Sequence, residues 1–383
     1  MQVKINSISQ GGEGVAQLPS GRTVFVDGAL PQEVVTIEVY YEKKSYVKAS
    51  IVEIIEPSVD RVEPFCPHYG ECGGCNLQHL KYEEQVKVKE NLVISHLKRI
   101  ANLDTDKVKI LPTEVGSDIS YRNRVRFHAS MADKKVGFLK QRSSELCEIE
   151  SCPLLVDSIN EAVKNGDILK AARMNMFESN SRGNYIQVPV FSGDNELSFS
   201  DEKVDITIND HLFSVSAKVF FQSNPKLLSK MIEYVISNID SESVMDLYSG
   251  VGTFSAFLPK NTIAVEKQRE CLVLSKINAP DAISYTGEVE KWGKKNKQHV
   301  DTIVVDPPRT GLYESVPKLL KKFGAKKIIY VSCNPVTLAR DIKALEDLGY
   351  KTEEIKLFDF YPHTHHIESV VILTYAIEKY LTV

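Results

Sequence analysis

Short β-branched runs broken by glycine and proline fill the first 56 residues. Val3-Lys4-Ile5, Thr23-Val24-Phe25-Val26 and Val34-Val35-Thr36-Ile37-Glu38-Val39 are separated by Gly11-Gly12-Glu13-Gly14, Ser20-Gly21 and Ala29-Leu30-Pro31. That spacing predicts a small β-barrel over residues 1–56. Between 82 and 101 the apolar period lengthens: Val86, Val88, Leu92, Ile94, Leu97 and Ile100 recur among charged residues and predict an amphipathic helix. Residues 120–215 read as irregular and mostly strand-like. Beyond Phe220, strand-like runs at 244–247, 262–265, 302–305, 328–331 and 369–374 alternate with helix-like segments, which predicts a doubly wound α/β sheet. Two helix starts are legible, Asn224-Pro225 and Asn334-Pro335, with Asn at the cap and Pro in the first turn. Gly349 is placed to close the second. Three regions are expected: the barrel (1–56), a central domain (57–215) whose helix 82–101 packs on the following domain, and the α/β domain (216–383).

Composition is that of a globular chain, 43% hydrophobic and 26% charged over 383 residues. No apolar stretch reaches the roughly 20 residues that span a bilayer. The N-terminus lacks a basic segment followed by an apolar run, so a cytoplasmic protein without a membrane partner is expected. The net charge of −4 hides a basic stretch between Tyr121 and Arg142, with seven Lys and Arg against one acid. Arg122, Arg124 and Arg126 alternate with Asn123, Val125 and Phe127, which on a strand puts three guanidinium groups on one face, suited to a phosphate backbone. Seven cysteines, an odd number with no export signal, argue for metal binding or catalysis rather than a disulfide framework.

Asp246-Leu247-Tyr248-Ser249-Gly250-Val251-Gly252-Thr253-Phe254 follows the first α/β strand. A Gly-x-Gly turn there lets a ligand approach the backbone; by itself it is also simply a tight turn. Ser255 stands where a dinucleotide fingerprint carries a third glycine, which counts against NAD and leaves room for another adenosyl ligand. Glu266 ends the next strand, placed for ribose hydroxyls, so S-adenosylmethionine is the expected cofactor. Asp306-Pro307-Pro308-Arg309 ends a further strand on the same edge, a rigid loop with Asp306 facing cofactor or base.

Cys333 falls on that edge too, where a strand ends and the helix at Asn334-Pro335 begins. A helix N-terminus is expected to lower its pKa and raise the thiolate fraction. Thirty-five residues on, Glu368 opens an apolar strand and is a candidate general base. His363, His365 and His366 lack the spacing of helical zinc ligands.

At these residues the chain resembles the RNA uracil-C5 methyltransferases, which make 5-methyluridine in ribosomal and transfer RNA. The resemblance rests on Phe221-Gln222-x-Asn224, the Asp246-to-Phe254 turn, Asp306-Pro-Pro-Arg-x-Gly311, Ser332-Cys333-Asn334-Pro335 and Thr364-x-His366-Ile367-Glu368. It implies a Rossmann-like S-adenosylmethionine-dependent methyltransferase domain. It also implies that Gln222, Tyr248, Gly250, Glu266 and Asp306 contact the cofactor, with Thr253 and Glu288 as further contacts. Cys333 would add to C6 of uracil, activating C5 towards the methyl group, and Glu368 would remove the C5 proton. A stacked base hides C5 and C6, so the target is flipped or lies in a loop. Methylation of cytosine C5 is the rival chemistry, and a non-catalytic RNA-binding scaffold the rival class. A Pro-Cys pair is typical of the former; here Cys333 precedes Asn-Pro.

Cys66-x5-Cys72-Gly73-Gly74-Cys75 supplies three thiols within ten residues, and Cys147 or Cys152 would complete a set. The family's iron–sulfur members carry the same run through Gln78-His79-Leu80, together with a distant Cys-Pro. By that resemblance the ligands are Cys66, Cys72, Cys75 and Cys152, next to Pro153, and the group is a [4Fe–4S] cluster. Cys147 and Cys271 are left without a role. Residues 1–56 are similar to a TRAM domain, an OB-type RNA-binding barrel. Barrel plus cluster point to 23S ribosomal RNA as substrate, with the T-loop uridine of transfer RNA as the alternative, and to a monomer.

Overall fold

The computed structural model describes residues 1–174 and 185–376. Six strands open the chain: β1 (Gln2–Lys4), β2 (Ser7–Ile8), β3 (Gly14–Gln17), β4 (Thr23–Asp27), β5 (Val34–Glu42) and β6 (Tyr46–Glu56). They pair in the order β1-β5-β6-β4-β3-β2. Their core is made by alternate residues, as in β4, where Val24 and Val26 are buried while Thr23, Phe25 and Asp27 reach outward. Gly12 has φ +88, and a β-carbon there would stand 2.4 Å from Nδ2 of Asn76. Only glycine therefore lets this barrel turn close on the cysteine segment.

Helix α1 (Tyr82–His96) continues as a π-helical turn to Ala101, matching the helix expected over 82–101. A short strand, β7 (Lys109–Ile110), follows. A five-stranded sheet then combines β8 (Arg124–Ser130), β9 (Lys135–Leu139), β10 (Leu146–Glu148), β11 (Ile186–Ser192) and β12 (Leu197–Ser198) in the order β10-β9-β8-β11-β12. Helices α2 (Asp157–Lys164) and α3 (Asp167–Met174) cover it, burying Ile159, Ala162, Ile168 and Ala171 against Val125, Phe127, Val188 and Val190. The strand-like reading of 120–215 missed both helices. With eight residues each, they are shorter than the window of roughly 11–18 residues over which an apolar period is read. A hairpin of β13 (Val204–Ile208) and β14 (His211–Val215) ends this part.

The remaining elements are α4 (Pro225–Ser237), β15 (Val244–Leu247), β16 (Ile263–Glu266), α5 (Arg269–Asn278), β17 (Ile283–Thr286), α6 (Val289–Lys295), β18 (Thr302–Val305), α7 (Val316–Lys322), β19 (Lys327–Ser332), α8 (Pro335–Glu346), β20 (Tyr350–Phe358) and β21 (Glu368–Tyr375). Both anticipated helix starts are present: Asn224 caps α4 at the Leu227 N–H (3.3 Å) and Asn334 caps α8 at the Val336 N–H (3.1 Å). The sheet has eight strands in the order β17-β16-β15-β18-β19-β21-β20-β7. The first five run parallel, and β21 lies antiparallel between β19 and β20. Both faces are covered: Val305, Tyr330, Val371 and Leu373 enter one core, Val304, Ile329, Val331, Val370 and Ile372 the other.

The expected central domain, 57–215, is not one packing unit. Strand β7 pairs with β20, and Val93, Leu97 and Leu103 share a core with Leu338 and Ile342 of α8. The β13–β14 hairpin packs with α4 through Ile206, Phe213, Leu228 and Met231.

Candidate active site

The strand order reverses between β15 and β18, and ligands bind α/β sheets at such a point, beyond the carboxyl ends of the strands. After β15 the backbone enters the left-handed region at Tyr248, Gly250 and Gly252 (φ 64, 55 and 86), which forms the turn. Glu266 ends β16. Its carboxylate accepts the N–H groups of Gly250 (2.9 Å) and Gln268 (2.6 Å), which leaves acceptor capacity for a diol. Beneath the turn lies the fully buried Asp246, hydrogen-bonded by the Ser255 hydroxyl at 2.5 Å. Burial pushes its carboxyl up to about 6. Asp306 follows β18, and its N–H donates to the Leu247 carbonyl (3.3 Å). Burial, and then the charge of Asp246, push Asp306 up to about 7. Gln222 is buried and accepts the Tyr361 hydroxyl at 3.4 Å.

One step along the sheet, Ser332 of β19 pairs with Ser369 of antiparallel β21. Cys333 and Glu368 are thus the next residues outward on the two strands, facing each other at the carboxyl edge of β19. Asn334 fixes the turn after Cys333: besides capping α8, its Nδ2 donates to the Arg309 carbonyl (2.9 Å). The expected lowering of the Cys333 pKa is overturned. Burial, with the carboxyls of Glu368 and Asp306 adding, pushes the thiol up to about 12, and Arg309 offsets only part. The helix N-terminus is outweighed because the cysteine faces two acids in a poorly solvated site. Glu368 itself is 3% exposed, and burial followed by Asp306 holds its carboxyl well above the usual range.

Residues 359–367, between β20 and β21, are held from α1. Lys89 and Asp359, both fully buried, form an ion pair at 2.6 Å, and the Tyr82 hydroxyl donates to the other Asp359 oxygen at 3.0 Å. Gln85 accepts the His363 N–H at 2.9 Å. A guanidinium nitrogen of Arg309 donates to Nδ1 of His366 (2.9 Å), so any ring proton of a neutral His366 sits on Nε2. Burial, with His365 and Arg309, pushes His366 down to about 3. Tyr361 and this network carry no motif signal of their own beyond Thr364-x-His366; only the fold shows that Tyr361 lines the site and that Lys89, Asp359 and Gln85 brace the stretch.

A cavity of about 1110 Å³ opens on the Cys333 side; Gln222, Tyr248, Gly250, Glu266 and Asp306 are not among the residues that line it. Cys333, Glu368, Arg309, Tyr361 and His366 line it, together with Gly11, Gly12 and Glu13 of the barrel and Arg122, Arg124, Arg126 and His128. The three arginines do share one face. Arg124, however, donates to the Val219 carbonyl (3.0 Å) and stacks near Phe220, and burial pushes it down to about 10. Arg126 is the exposed member.

Cys66, Cys72, Cys75 and Cys152 all line the same cavity. Their segment docks on β9, where the Gly73 N–H donates to the Leu139 carbonyl at 2.9 Å, and Asn160 anchors the Cys152 N–H at 2.9 Å. Burial pushes Cys72 up to about 11 and Cys75 up to about 12, with the neighbouring cysteines adding. Cys147 is buried against Cys72. Among the described residues, no three His, Cys, Asp or Glu side chains are arranged as a closed metal site.

A mostly parallel sheet with an antiparallel strand beside its fifth, a glycine turn after β15 and an acid after β16 defines a Rossmann-like methyltransferase domain. Residues 293–376 match the family model described as tRNA (Uracil-5-)-methyltransferase, and residues 1–52 match the TRAM domain. The chain is 32% identical to a protein of Clostridium acetobutylicum named an uncharacterized RNA methyltransferase, over 97% of this chain and 96% of that one. It is 30% identical to the 23S rRNA (uracil(1939)-C(5))-methyltransferase RlmD of Shewanella woodyi, over 97% and 95%. The crystal structure of the Pyrococcus abyssi tRNA (uracil-54, C5)-methyltransferase superposes with a TM-score of 0.75 at 24% identity, covering 98% of this chain and all of that one. The chain belongs to the RNA uracil-C5 methyltransferase family.

Proposed function

We propose that the protein methylates C5 of a specific uridine in 23S ribosomal RNA through a covalent Cys333–C6 adduct, with Glu368 as the base. The observation that carries this reading is the opposition of Cys333 and Glu368 across the β19–β21 register. S-adenosylmethionine, when bound, supplies an electrophilic methyl group. Gln222, Tyr248, Gly250, Glu266 and Asp306 would hold it at the switch point of the sheet, with the spare lone pairs of Glu266 turned to the ribose hydroxyls.

The Cys333 thiol gives its proton to solvent, to be regained when the thiolate leaves. The thiolate adds to C6, the C5–C6 π pair forms C4=C5, and the carbonyl pair moves onto O4 as an enolate. Collapse of that enolate makes C5 the nucleophile towards the methyl group. Glu368 then takes the C5 proton, the C–H pair reforms C5=C6, and the thiolate leaves. A carboxylate with a pKa held up by burial is a stronger base once ionised, which suits a carbon acid. The proton passes from Glu368 to water, so one proton is released per methyl transferred.

Cys66, Cys72, Cys75 and Cys152 would hold a [4Fe–4S] cluster. The donor types fit: four thiols from two segments line one cavity, and burial raises Cys72, Cys75 and Cys152, a cost that a bound cation would offset. Its role is structural, tying the cysteine segment to the central sheet. The barrel and the Arg126 face would flank the RNA. The substrate assignment rests on relatives named as 23S rRNA methyltransferases at 30% identity over nearly the full chain.

The test uses RNA with 5-fluorouridine in place of uridine. Fluorine cannot leave as a proton does, so a protein–RNA complex resistant to denaturant should accumulate with wild type and be absent with Cys333→Ala. Methyl incorporation into 23S fragments and into transfer RNA, measured side by side, tests the substrate. Label entering only transfer RNA would overturn the ribosomal assignment, and an active Cys333→Ala would overturn the covalent route.

A further inference from the structure

Asn76, directly after Cys75, stands where three parts of the chain meet. Its backbone N–H and that of Leu77 both donate to the His363 carbonyl, at 3.1 and 3.0 Å. Its Nδ2 donates to the Gly11 carbonyl of the barrel at 2.6 Å and lies 2.8 Å from Nδ1 of His365. A carbonyl can only accept, so the Gly11 contact fixes which way the amide points. Nδ1 of His365 is then the acceptor. His363 and His365 belong to the stretch that leads directly into Glu368. Beside this junction, Nε2 of Gln10 donates to Oδ1 of Asn334 (3.2 Å), the residue after Cys333. The same barrel turn thus touches the nucleophile's neighbour directly and, through Asn76, the approach to the base.

We propose that Asn76 is a positioning residue for Glu368, clamping the cysteine segment and the barrel turn onto residues 363–365 so that the carboxylate is aimed at the C5 proton. The inference rests on the covalent mechanism proposed above. It separates two steps that a general structural role would not separate. Addition of Cys333 to C6 depends on β19 and the Asn334 cap. Removal of the C5 proton depends on the stretch that Asn76 holds. Loosening the clamp therefore slows elimination more than addition, and adduct accumulates.

The test compares purified full-length wild type, Asn76→Asp, Asn76→Ala and Glu368→Gln. Asn76→Asp keeps the shape but replaces the amide donor by an anionic acceptor, which breaks both contacts and keeps the test valid if the alanine variant folds poorly. Denaturant-resistant complex is measured on ordinary RNA with S-adenosylmethionine, and the rate of complex formation is measured on 5-fluorouridine RNA. The Asn76 variants should keep the fluorouridine rate within about twofold of wild type. On ordinary RNA they should accumulate about tenfold more complex, the scale expected when a reacting group is displaced by a fraction of an ångström. Iron content per chain should be unchanged. Parallel loss of both rates, or normal turnover without accumulation, overturns the positioning role. If Glu368→Gln also fails to accumulate complex on ordinary RNA, the covalent mechanism falls; if Glu368→Gln accumulates and the Asn76 variants do not, only this inference falls.

Discussion

Replacing Lys89 by methionine should cost the catalytic unit about 3–5 kcal/mol, the range seen when one partner of a buried ion pair is removed. Both charges are fully buried, and Lys89 Nζ reaches Asp359 at 2.6 Å and the Tyr361 carbonyl at 3.1 Å. Methionine fills much of the same volume, so the cost is electrostatic rather than a cavity. The Tyr361 carbonyl keeps its bonds from the Thr364 N–H and hydroxyl, at 3.2 and 2.8 Å. The loss therefore concentrates on Asp359, left with the Tyr82 hydroxyl as its side-chain donor among the described residues. Adding Asp359→Asn to Lys89→Met removes the unpaired charge and should restore more than half of the deficit. Urea unfolding followed by far-UV circular dichroism, with the slope checked for constancy across variants, measures both changes. A deficit below about 1 kcal/mol for Lys89→Met would refute the reasoning, because it would mean that water reaches the site and screens the carboxylate.

Asp306 and Asp246 are pushed up to about 7 and 6 by burial. A raised acid contributes stability that is fully present below its unfolded pKa and is lost as pH rises through the folded value. The melting temperature of Asp306→Asn relative to wild type should therefore climb between pH 5 and pH 8, and a flat difference across that range would contradict the burial argument. Arg126 is exposed on the cavity face, so Arg126→Ala should weaken RNA binding at low salt and reduce the slope of log affinity against log salt by about 1. Filter binding across a salt series reads that slope, and an unchanged slope would remove Arg126 from the phosphate contacts.

The placement of Cys333 was legible because it is local. Cys333-Asn334-Pro335 combines a strand end, a cap and a helix start in consecutive residues, and capping is decided within one turn. Gly250, Glu266 and Asp306 were legible for a related reason: each ends a run that reads as a strand, and in a parallel sheet those ends share one edge. The eight-residue helices α2 and α3 were not, since each is shorter than the window of roughly 11–18 residues over which a period is read.

What the sequence by itself determined was therefore the α/β class, the likeness to the uracil-C5 methyltransferases, and the strand-end positions of Glu266, Asp306 and Cys333. Only the tertiary structure decided that Cys333 and Glu368 oppose each other, because that requires β21 to insert antiparallel between β19 and β20. It alone also decided that β7 belongs with the sheet of the α/β domain, and that burial and two acids outweigh the helix N-terminus around the Cys333 thiol. The physical reason is common to all three. Pairing partners and burial are long-range: they depend on which segments exclude water from which side chains, and no local pattern of residues records that.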